Sequence, residues 1–244
     1  MDKFIVWHQC YLYRTKVIAV LVFMLATTLS CWAQPNLSNH DNKRVHFGIS
    51  LGFNSGNFAI THSESFAYHD SIKVVESPNS PGFNVGIISD LHLSKHADFR
   101  FIPTLVFAEK DLDYVEVGTA GDVIVNETVE SIILEFPVTF KYKSDRFYDN
   151  FRFYVLGGGR LDWDLGSNSD ARKASDIIKI DKYDFSLEYG AGLEFYFPLF
   201  IFSPEIKFTQ GMYNLHVPTN NLRYSDVLGK LRSQYFTLSF QFEG

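Results

Sequence analysis

The stretch Tyr183–Phe208, YDFSLEYGAGLEFYFPLFIFSPEIKF, decides the fold. Its odd positions up to Phe197 are apolar or aromatic, whereas charges fall between them at Asp184, Glu188 and Glu194. A period of two is typical of a β-strand whose two faces meet different surroundings. After Pro198-Leu199 the alternation resumes, so the stretch predicts two strands joined by a tight turn.

The turn fixes the register of this hairpin. If residues 198–199 form a two-residue turn, paired residues have numbers that sum to 397, which sets Phe195 opposite Phe202 and keeps both apolar rows on one face. Charged side chains then face glycines, which predicts a narrow and crowded polar face. These pairs are Glu205 with Gly192 and Lys207 with Gly190.

Six further segments alternate in the same way, which makes eight strands in all. They are Val45–Asn54, Gly82–Leu93, Phe99–Ala108, Ser131–Tyr142, Phe151–Trp163 and Ser233–Phe242. Long polar loops are predicted at about 55–81, 111–127, 165–181 and 211–232, and short connections at 94–97, 144–149 and 198–199. Long and short connections in alternation are typical of transmembrane barrels. We expect an all-β fold, an eight-stranded antiparallel transmembrane β-barrel with short periplasmic turns, long extracellular loops and both termini in the periplasm.

Volume indicates which face points inward. An eight-stranded barrel leaves an interior that only side chains or one small ligand can fill. The uncharged faces carry about forty large groups, too many for that space, which excludes a lipocalin-like barrel with an apolar interior. A soluble two-sheet sandwich stays open as an alternative.

The mixed-charge face is therefore predicted to form a polar, filled lumen in which opposite charges pair, since isolated buried charges would be costly. We expect Arg152 and Arg160 to lie beside the strand that bears Glu188 and Glu194, and expect Glu188→Ala or Arg152→Ala to weaken the barrel. The predicted lumen network comprises Arg100, Glu135, Lys141, Arg152, Arg160, Asp162, Glu188, Glu194, Glu205 and Lys207.

Aromatic residues near the strand ends predict a girdle at the membrane interfaces. The predicted girdle comprises Tyr142, Trp163, Tyr183 and Tyr196.

The N-terminal segment has the features of a targeting signal. A basic region precedes the apolar run Val17–Leu29, and Cys31-Trp32-Ala33 predicts cleavage after Ala33. Lipoprotein processing at Cys31 is the alternative. We expect residues 1–33 to be a cleaved signal peptide, 34–44 a flexible periplasmic lead-in and 45–244 the barrel.

Composition limits the chemistry of the processed chain. Cys10 and Cys31 both lie in the predicted leader, and its removal leaves 19 basic against 27 acidic residues, a net charge of −8. Such a chain has no disulfide or thiolate site and no basic surface for a nucleic acid. We predict no catalytic, metal or cofactor site, no cofactor and no small-molecule substrate.

Three patterns suggest other chemistry, and none is favoured. His62-Ser63-Glu64 contains the residue types of a catalytic triad, but a triad needs spatial rather than sequential neighbours. His92 and His96 have a spacing that suits a helix rather than a strand end. Gly157-Gly158-Gly159 predicts a bend or close packing, because no helix follows it.

Short motifs distributed over the whole mature chain resemble the PorT family, outer-membrane β-barrel proteins of Bacteroidetes. The motifs are His46-Phe47-Gly48, Ser63-Glu64-Ser65-Phe66, Pro81-Gly82-Phe83-Asn84, Arg100-Phe101-Ile102-Pro103, Leu134-Glu135-Phe136-Pro137, Lys141-Tyr142-Lys143-Ser144, Asp184-Phe185 and Phe202-Ser203-Pro204-Glu205-Ile206-Lys207.

This resemblance implies a non-enzymatic outer-membrane component of type IX secretion, the route for virulence and gliding-motility proteins. Its partners would be outer-membrane lipid and other components of that apparatus. The family has no established catalytic motif, so the resemblance implies no catalytic residue. Two alternatives stay open, namely a general small barrel for surface binding or a narrow channel, and a lipid-modifying enzyme.

Overall fold

A computed structural model of the chain describes residues 36–37, 43–63, 66, 72–118, 121–148, 150–166, 179–218 and 227–244. The predicted leader, 1–33, lies outside these residues, as does most of the lead-in. Within them, no helix is both long and apolar enough to cross a membrane.

Ten strands contain most of the described residues. They are β1 (Val45–His62), β2 (Ile72–Glu76), β3 (Ser80–Ser94), β4 (Ala97–Phe101), β5 (Thr104–Gly118), β6 (Gly121–Lys143), β7 (Phe151–Asp164), β8 (Tyr183–Tyr196), β9 (Ile201–Gly211) and β10 (Leu228–Glu243). All pairings between them are antiparallel.

The strands close into a ring. β4 and β5 both lie between β3 and β6 and together form one strand of the wall, while β1 pairs with β3 on one edge and β10 on the other. The ring therefore has eight members, as the sequence predicts, and β2 is added only to the outer part of β5. A closed ring leaves no edge strand in the wall.

The interruption between β4 and β5 falls at Ile102-Pro103, opposite Pro137 on β6. Pro137 has no N–H to donate across the ladder. The carbonyl oxygen of Ile102 instead accepts a hydrogen bond of 2.7 Å from Thr104 Oγ. The wall strand is thereby divided, although its side chains keep their alternation between the two faces.

The register predicted for the β8–β9 hairpin is confirmed. Phe195 lies opposite Phe202, and the two predicted pairs of glycine with Glu205 and with Lys207 are present. The backbone N–H of Phe197 donates to the carbonyl of Phe200 at 2.9 Å, which closes the two-residue turn.

Three of the predicted loops are wrong in extent, because strands continue through much of them. β5 and β6 pair without interruption out to Gly118 and Gly121, across the segment predicted as the loop 111–127. β1 continues to His62, and β10 already begins at Leu228. Beyond the apolar rows many outward residues of these strands are polar, among them Ser55, Asn57, Asp111 and Asp113, which gives the segments the composition of loops.

The barrel has two unlike ends. We call the end with the connections at 95–96, 144–150 and 197–200 the turn end, and the opposite end, where β5 and β6 extend furthest, the loop end. β1 begins and β10 ends at the turn end, where Gly48 pairs with Glu243. Asn36 is held there too, by hydrogen bonds with Arg146, Asn150 and the carbonyl of Tyr196.

Candidate functional site

The interior of the ring holds every side chain that the sequence assigns to the lumen network. Lys207 keeps 14% of its side chain exposed, whereas the other nine residues are buried: Arg100, Glu135, Lys141, Arg152, Arg160, Asp162, Glu188, Glu194 and Glu205. The outward rows at the same heights are apolar, with Ile87, Phe53 and Leu161 about 60% exposed or more. Charge therefore lies inside and hydrocarbon outside along this band, which we call the apolar band.

Arg100 is the centre of the cluster nearest the turn end. Its guanidinium nitrogens lie 2.9 Å from Asp90, 3.2 Å from Glu205 and 2.6 Å from Glu243. Gln241 Oε1 accepts a further hydrogen bond of 2.5 Å from the same group. One cation thus connects side chains from β3, β4, β9 and β10 across the interior.

Lys141 forms a second ion pair in this cluster, with Glu194. Its ammonium lies 4.3 Å from the ring centre of Tyr154, a cation–π contact, and the Tyr154 hydroxyl donates to Glu205 at 2.7 Å. Tyr154 fills the space beside Gly192, where an added Cβ would lie 2.4 Å from the tyrosine ring. The glycines of the inward rows therefore make room for long side chains from neighbouring strands.

A second charged cluster lies nearer the loop end around Arg160. Its guanidinium is 2.7 Å from Glu135 and 2.8 Å from Asp162. Lys207 lies between Glu188, at 3.8 Å, and Glu205, at 3.9 Å, and so connects the two clusters.

The predicted partners are brought together only in part. Arg152 is opposite Glu194 in the β7–β8 register, as expected, but Glu194 pairs with Lys141, and Arg152 lies 5.5 Å over the ring of Tyr196. Arg160 pairs with acids of β6 and its own strand rather than of β8. Neighbouring-strand spacing alone could not choose among carboxylates, because long side chains reach across several strands of so narrow a lumen.

The prediction that Tyr196 belongs to an outward aromatic girdle is wrong. Tyr196 is buried on the inward face, where its hydroxyl donates to Glu194 at 2.6 Å. Its even number places it in the charged row of β8. The other three girdle candidates, Tyr142, Trp163 and Tyr183, face outward and are 56%, 43% and 61% exposed.

Beyond the apolar band, at the loop end, the interior becomes apolar. Inward side chains of β1, β2, β5 and β10 pack there with three residues of the adjoining connections into one buried cluster, which we call the apolar cap. Its members are Phe58, Ile72, Val75, Leu112, Tyr114, Ile180, Leu215, Val227, Leu228 and Leu231. Sequence reasoning missed the cap, although the alternation of β5 around Leu112 and Tyr114 carries its signal.

Lys110 lies where the polar lumen meets the apolar cap. Its ammonium donates to Ser233 Oγ at 2.9 Å and lies 4.5 Å and 4.6 Å from the ring centres of Phe58 and Tyr235. Burial lowers the pKa of Lys110 to about 8. No ion pair of this lysine lies within 4.0 Å among the described residues, in contrast to Arg100 and Lys141.

The turn end carries exposed charges on its rim. Lys95 and Asp145 form an ion pair of 2.5 Å, and hydrogen bonding from Lys95 holds the pKa of Asp145 below its ordinary value. Inside this rim, His92 bonds to the buried Asp98 at 2.7 Å, and His96 lies beside the ring of Tyr142.

Other chemistry finds little support in the described part of the chain. There, no group of three or more His, Cys, Asp or Glu residues could hold a metal ion. His62 packs on Phe66, with ring centres 4.3 Å apart, and Glu64 of the possible triad lies outside the described residues. Gly158 packs against β6, since an added Cβ would lie 2.1 Å from the Val138 carbonyl oxygen.

Solved outer-membrane proteins are similar to this chain at low sequence identity. Neisserial surface protein A is 8% identical, with 80% of this chain and 95% of that chain covered and a TM-score of 0.42. OprG from Pseudomonas aeruginosa is 14% identical, with 83% and 97% covered and a TM-score of 0.46. Ail, the attachment invasion locus protein of Yersinia pestis, is 15% identical, with 83% and 100% covered and a TM-score of 0.36.

A search of curated proteins finds no match. Residues 32–217, more than half of the chain, match the family described as outer membrane protein beta-barrel domain. Strands with an apolar outward band and a polar interior are what the outer membrane requires of such a protein. The chain belongs to this family of outer-membrane β-barrel domains.

Proposed function

We propose that this protein is a non-enzymatic accessory component of type IX secretion that acts through protein–protein interactions. The resemblance of its motifs to the PorT family supports the secretion role. The observation that carries the accessory role is the filled lumen, in which Arg100, Lys141 and Arg160 are buried among carboxylates. A protein cargo cannot pass through such an interior, so the chain would assist a conduit that lies elsewhere.

The proposed orientation places the turn end, with both termini, in the periplasm. Short connections at one end and long strands at the other are the arrangement of outer-membrane barrels. The loop end would then face the outside of the cell, where its polar outward residues meet water. Arg232 and Lys230, outward on β10, fit that surrounding.

A small apolar patch at the loop end suits a protein partner. Val74, Val115 and Ile124 lie side by side on the outward face of β2, β5 and β6, and Ile124 is 67% exposed. Val117 extends the patch, and Lys73 and Asp122 form an ion pair of 2.7 Å at its rim. Exposed apolar groups outside the membrane and rimmed by polar residues are typical of protein interaction sites.

Deletion of the gene tests the secretion role. Cargo of type IX secretion should accumulate inside the deletion strain, and plasmid-borne wild-type protein should restore its release. Complementation with Ile124→Asp should restore release less well than Asn57→Asp, a change that adds the same group on the outward face of β1 at the same end of the barrel. Normal cargo release by the deletion strain would contradict the proposal.

Surface binding without a secretion role is the second candidate, and the same apolar patch favours it. In that case the deletion strain would release cargo normally, while Ile124→Asp would abolish attachment to the bound surface or protein. Measurements in planar bilayers address a further alternative, a narrow channel. A filled lumen predicts no stable conductance steps, whereas steps with a defined ion selectivity would show a continuous path.

A further inference from the structure

The outward face of β6 to β10 contains a groove that the proposed function does not use. Its volume is about 550 Å³, and its surface is almost entirely apolar. The groove crosses five neighbouring strands of the ring within the apolar band. Its outward-facing walls are formed by Tyr142, Ser144, Phe153, Val155, Ala191, Leu193, Pro204, Ile206 and Leu238.

Small residues and an interrupted ladder create this groove. Ala191 stands in a row of larger side chains, between Val155 and Ile206 in the register. The pairing of β8 with β9 stops at Gly192 and resumes at Phe195, because Pro204 has no N–H for the ladder. The wall is therefore both thinner and less regular here.

The floor of the groove is closed. Tyr154 and Glu205 reach it from the inward side, and the Tyr154 hydroxyl donates to Glu205 at 2.7 Å. Both residues are buried, Glu205 also lies 3.2 Å from Arg100, and the groove therefore does not open into the lumen. The groove is therefore open only on the outward side of the wall.

The two ends of the groove differ in polarity. One end, at Ser144 and Tyr142, lies at the rim of the turn end beside His96, whose ring is 6.2 Å from that of Tyr142. Lys95, the neighbour of His96, is 71% exposed, and a phosphate at this rim would compete with Asp145 for its ammonium. The other end, at Ile206 and Leu238, lies within the apolar band. A ligand with one polar end and one long apolar part would match this arrangement.

We propose that the groove holds an acyl chain of one phospholipid, whose phosphate lies at the turn-end rim near Lys95 and His96. A cavity of about 150 Å³ accommodates the six carbons of benzene, so one of about 550 Å³ accommodates roughly 20 carbon atoms, the size of a single acyl chain. The groove is continuous with the lipid-facing band. The assignment of this phospholipid to the inner leaflet rests on the orientation proposed above. The existence of the binding site does not depend on that orientation.

Native mass spectrometry with a palmitoyl-oleoyl phosphatidylglycerol probe tests the site. Barrels refolded with this lipid and then delipidated in mild detergent should retain one lipid per chain. Ala191→Phe fills the groove and should lower the retained fraction at least tenfold. Val85→Phe is the matched control, because residue 85 is also outward and lies on β3, across the ring from β8.

A second variant tests the polar end. Lys95→Ala combined with His96→Ala should lower retention severalfold without filling the groove. Heat-modifiable mobility on cold gels must show that all variants are folded. Equal retention by Ala191→Phe and Val85→Phe, or a broad distribution of lipid numbers in the wild type, would overturn the proposal. A dimer that Ala191→Phe dissociates would overturn it in favour of a second copy of the chain.

Discussion

Two sections of the same strands show opposite polarity. In the apolar band, β1 points Ile49, Leu51 and Phe53 outward and Ser50 and Asn54 inward. Nearer the loop end the same outward row continues with Ser55 and Asn57, while Phe58 is buried inside. The backbone and its period of two are unchanged across the transition. What changes is the surrounding medium, from lipid to water.

The two sections also fill their interiors by different physics. Within the apolar band, Arg100 and Arg160 bind several carboxylates each, and mutual pairing offsets the cost of burial. In the loop-end section, Leu112 and Tyr114 pack in an apolar cap that removes hydrocarbon from water. The comparison indicates that the polarity of each interior section is opposite to that of its outward face, which is set by contact with lipid or with water.

Among the variants that test this comparison, Arg100→Ala should lower the stability of the barrel most. It leaves Asp90, Glu205 and Glu243 without their shared cation, and loss of one buried partner costs about 3–5 kcal/mol. The midpoint of thermal unfolding, followed as heat-modifiable mobility in one detergent, should fall sharply. Lys73→Ala, which removes only an exposed ion pair, is the control and should leave the midpoint unchanged. Equal unfolding midpoints for the two variants would show that hydration, and not ion pairing, offsets the cost of burying the lumen charges.

An outward arginine should distinguish the two sections directly. Ile87→Arg places a cation in the middle of the apolar band, where the expected cost is about 2–4 kcal/mol. Thr61→Arg places the same group on the outward face of the loop-end section, where water surrounds it and the cost should be near zero. The free energy of unfolding in urea, measured in lipid vesicles, compares them. A similar loss of unfolding free energy in both variants would contradict the boundary between the lipid-facing and the water-facing section.

The buried Lys110 should give the loop-end section a pH dependence. Its pKa is lowered from 10.5 to about 8, so between these values the unfolded chain binds more protons than the folded one. Stability therefore rises with pH in this window, by on the order of 1–2 kcal/mol from pH 7.5 to 9.5. Urea unfolding at both pH values measures the change. Lys110→Met should abolish the rise, and a rise that persists in this variant would assign it to another group.

Sequence alone predicted the ring, its strand order and the β8–β9 register. The period-two alternation marks the strands, the two-residue turn at 198–199 sets the register, and the small interior volume of an eight-stranded barrel decides which face points inward. It did not predict the apolar cap. The outward Asp111 and Asp113 give the segment 111–127 the composition of a loop. Strands were expected only where the outward residues are apolar, as they are in the apolar band. Near Phe58 and Leu112 the alternation continues, but the apolar residues lie in the inward row instead of the outward one. This exchange is the signal that could have predicted the cap.

The lumen contacts could be predicted only as a set. The sequence placed Glu205 and Arg100 on the inward face, but their pairing spans the ring from β9 to β4. Such a contact depends on how the ring closes rather than on the spacing of neighbouring strands. Glu243 was missed because the last predicted strand, Ser233–Phe242, ends one residue before it, although Glu243 lies 2.6 Å from Arg100. A polar residue that continues the inward row of a terminal strand is the signal for such a partner.

A single-cysteine scan along β1 tests the inversion of polarity most directly. Cys10 and Cys31 are the only cysteines of the chain, so both are removed before cysteine is placed at outward positions 51, 53, 57 and 61. Lipid vesicles containing each variant are exposed on both sides to a charged maleimide. Positions 57 and 61 should react at once, whereas 51 and 53 should react only after unfolding. Equally fast reaction at all four positions would contradict the account, because water would then cover the whole outward face, as in a soluble sandwich.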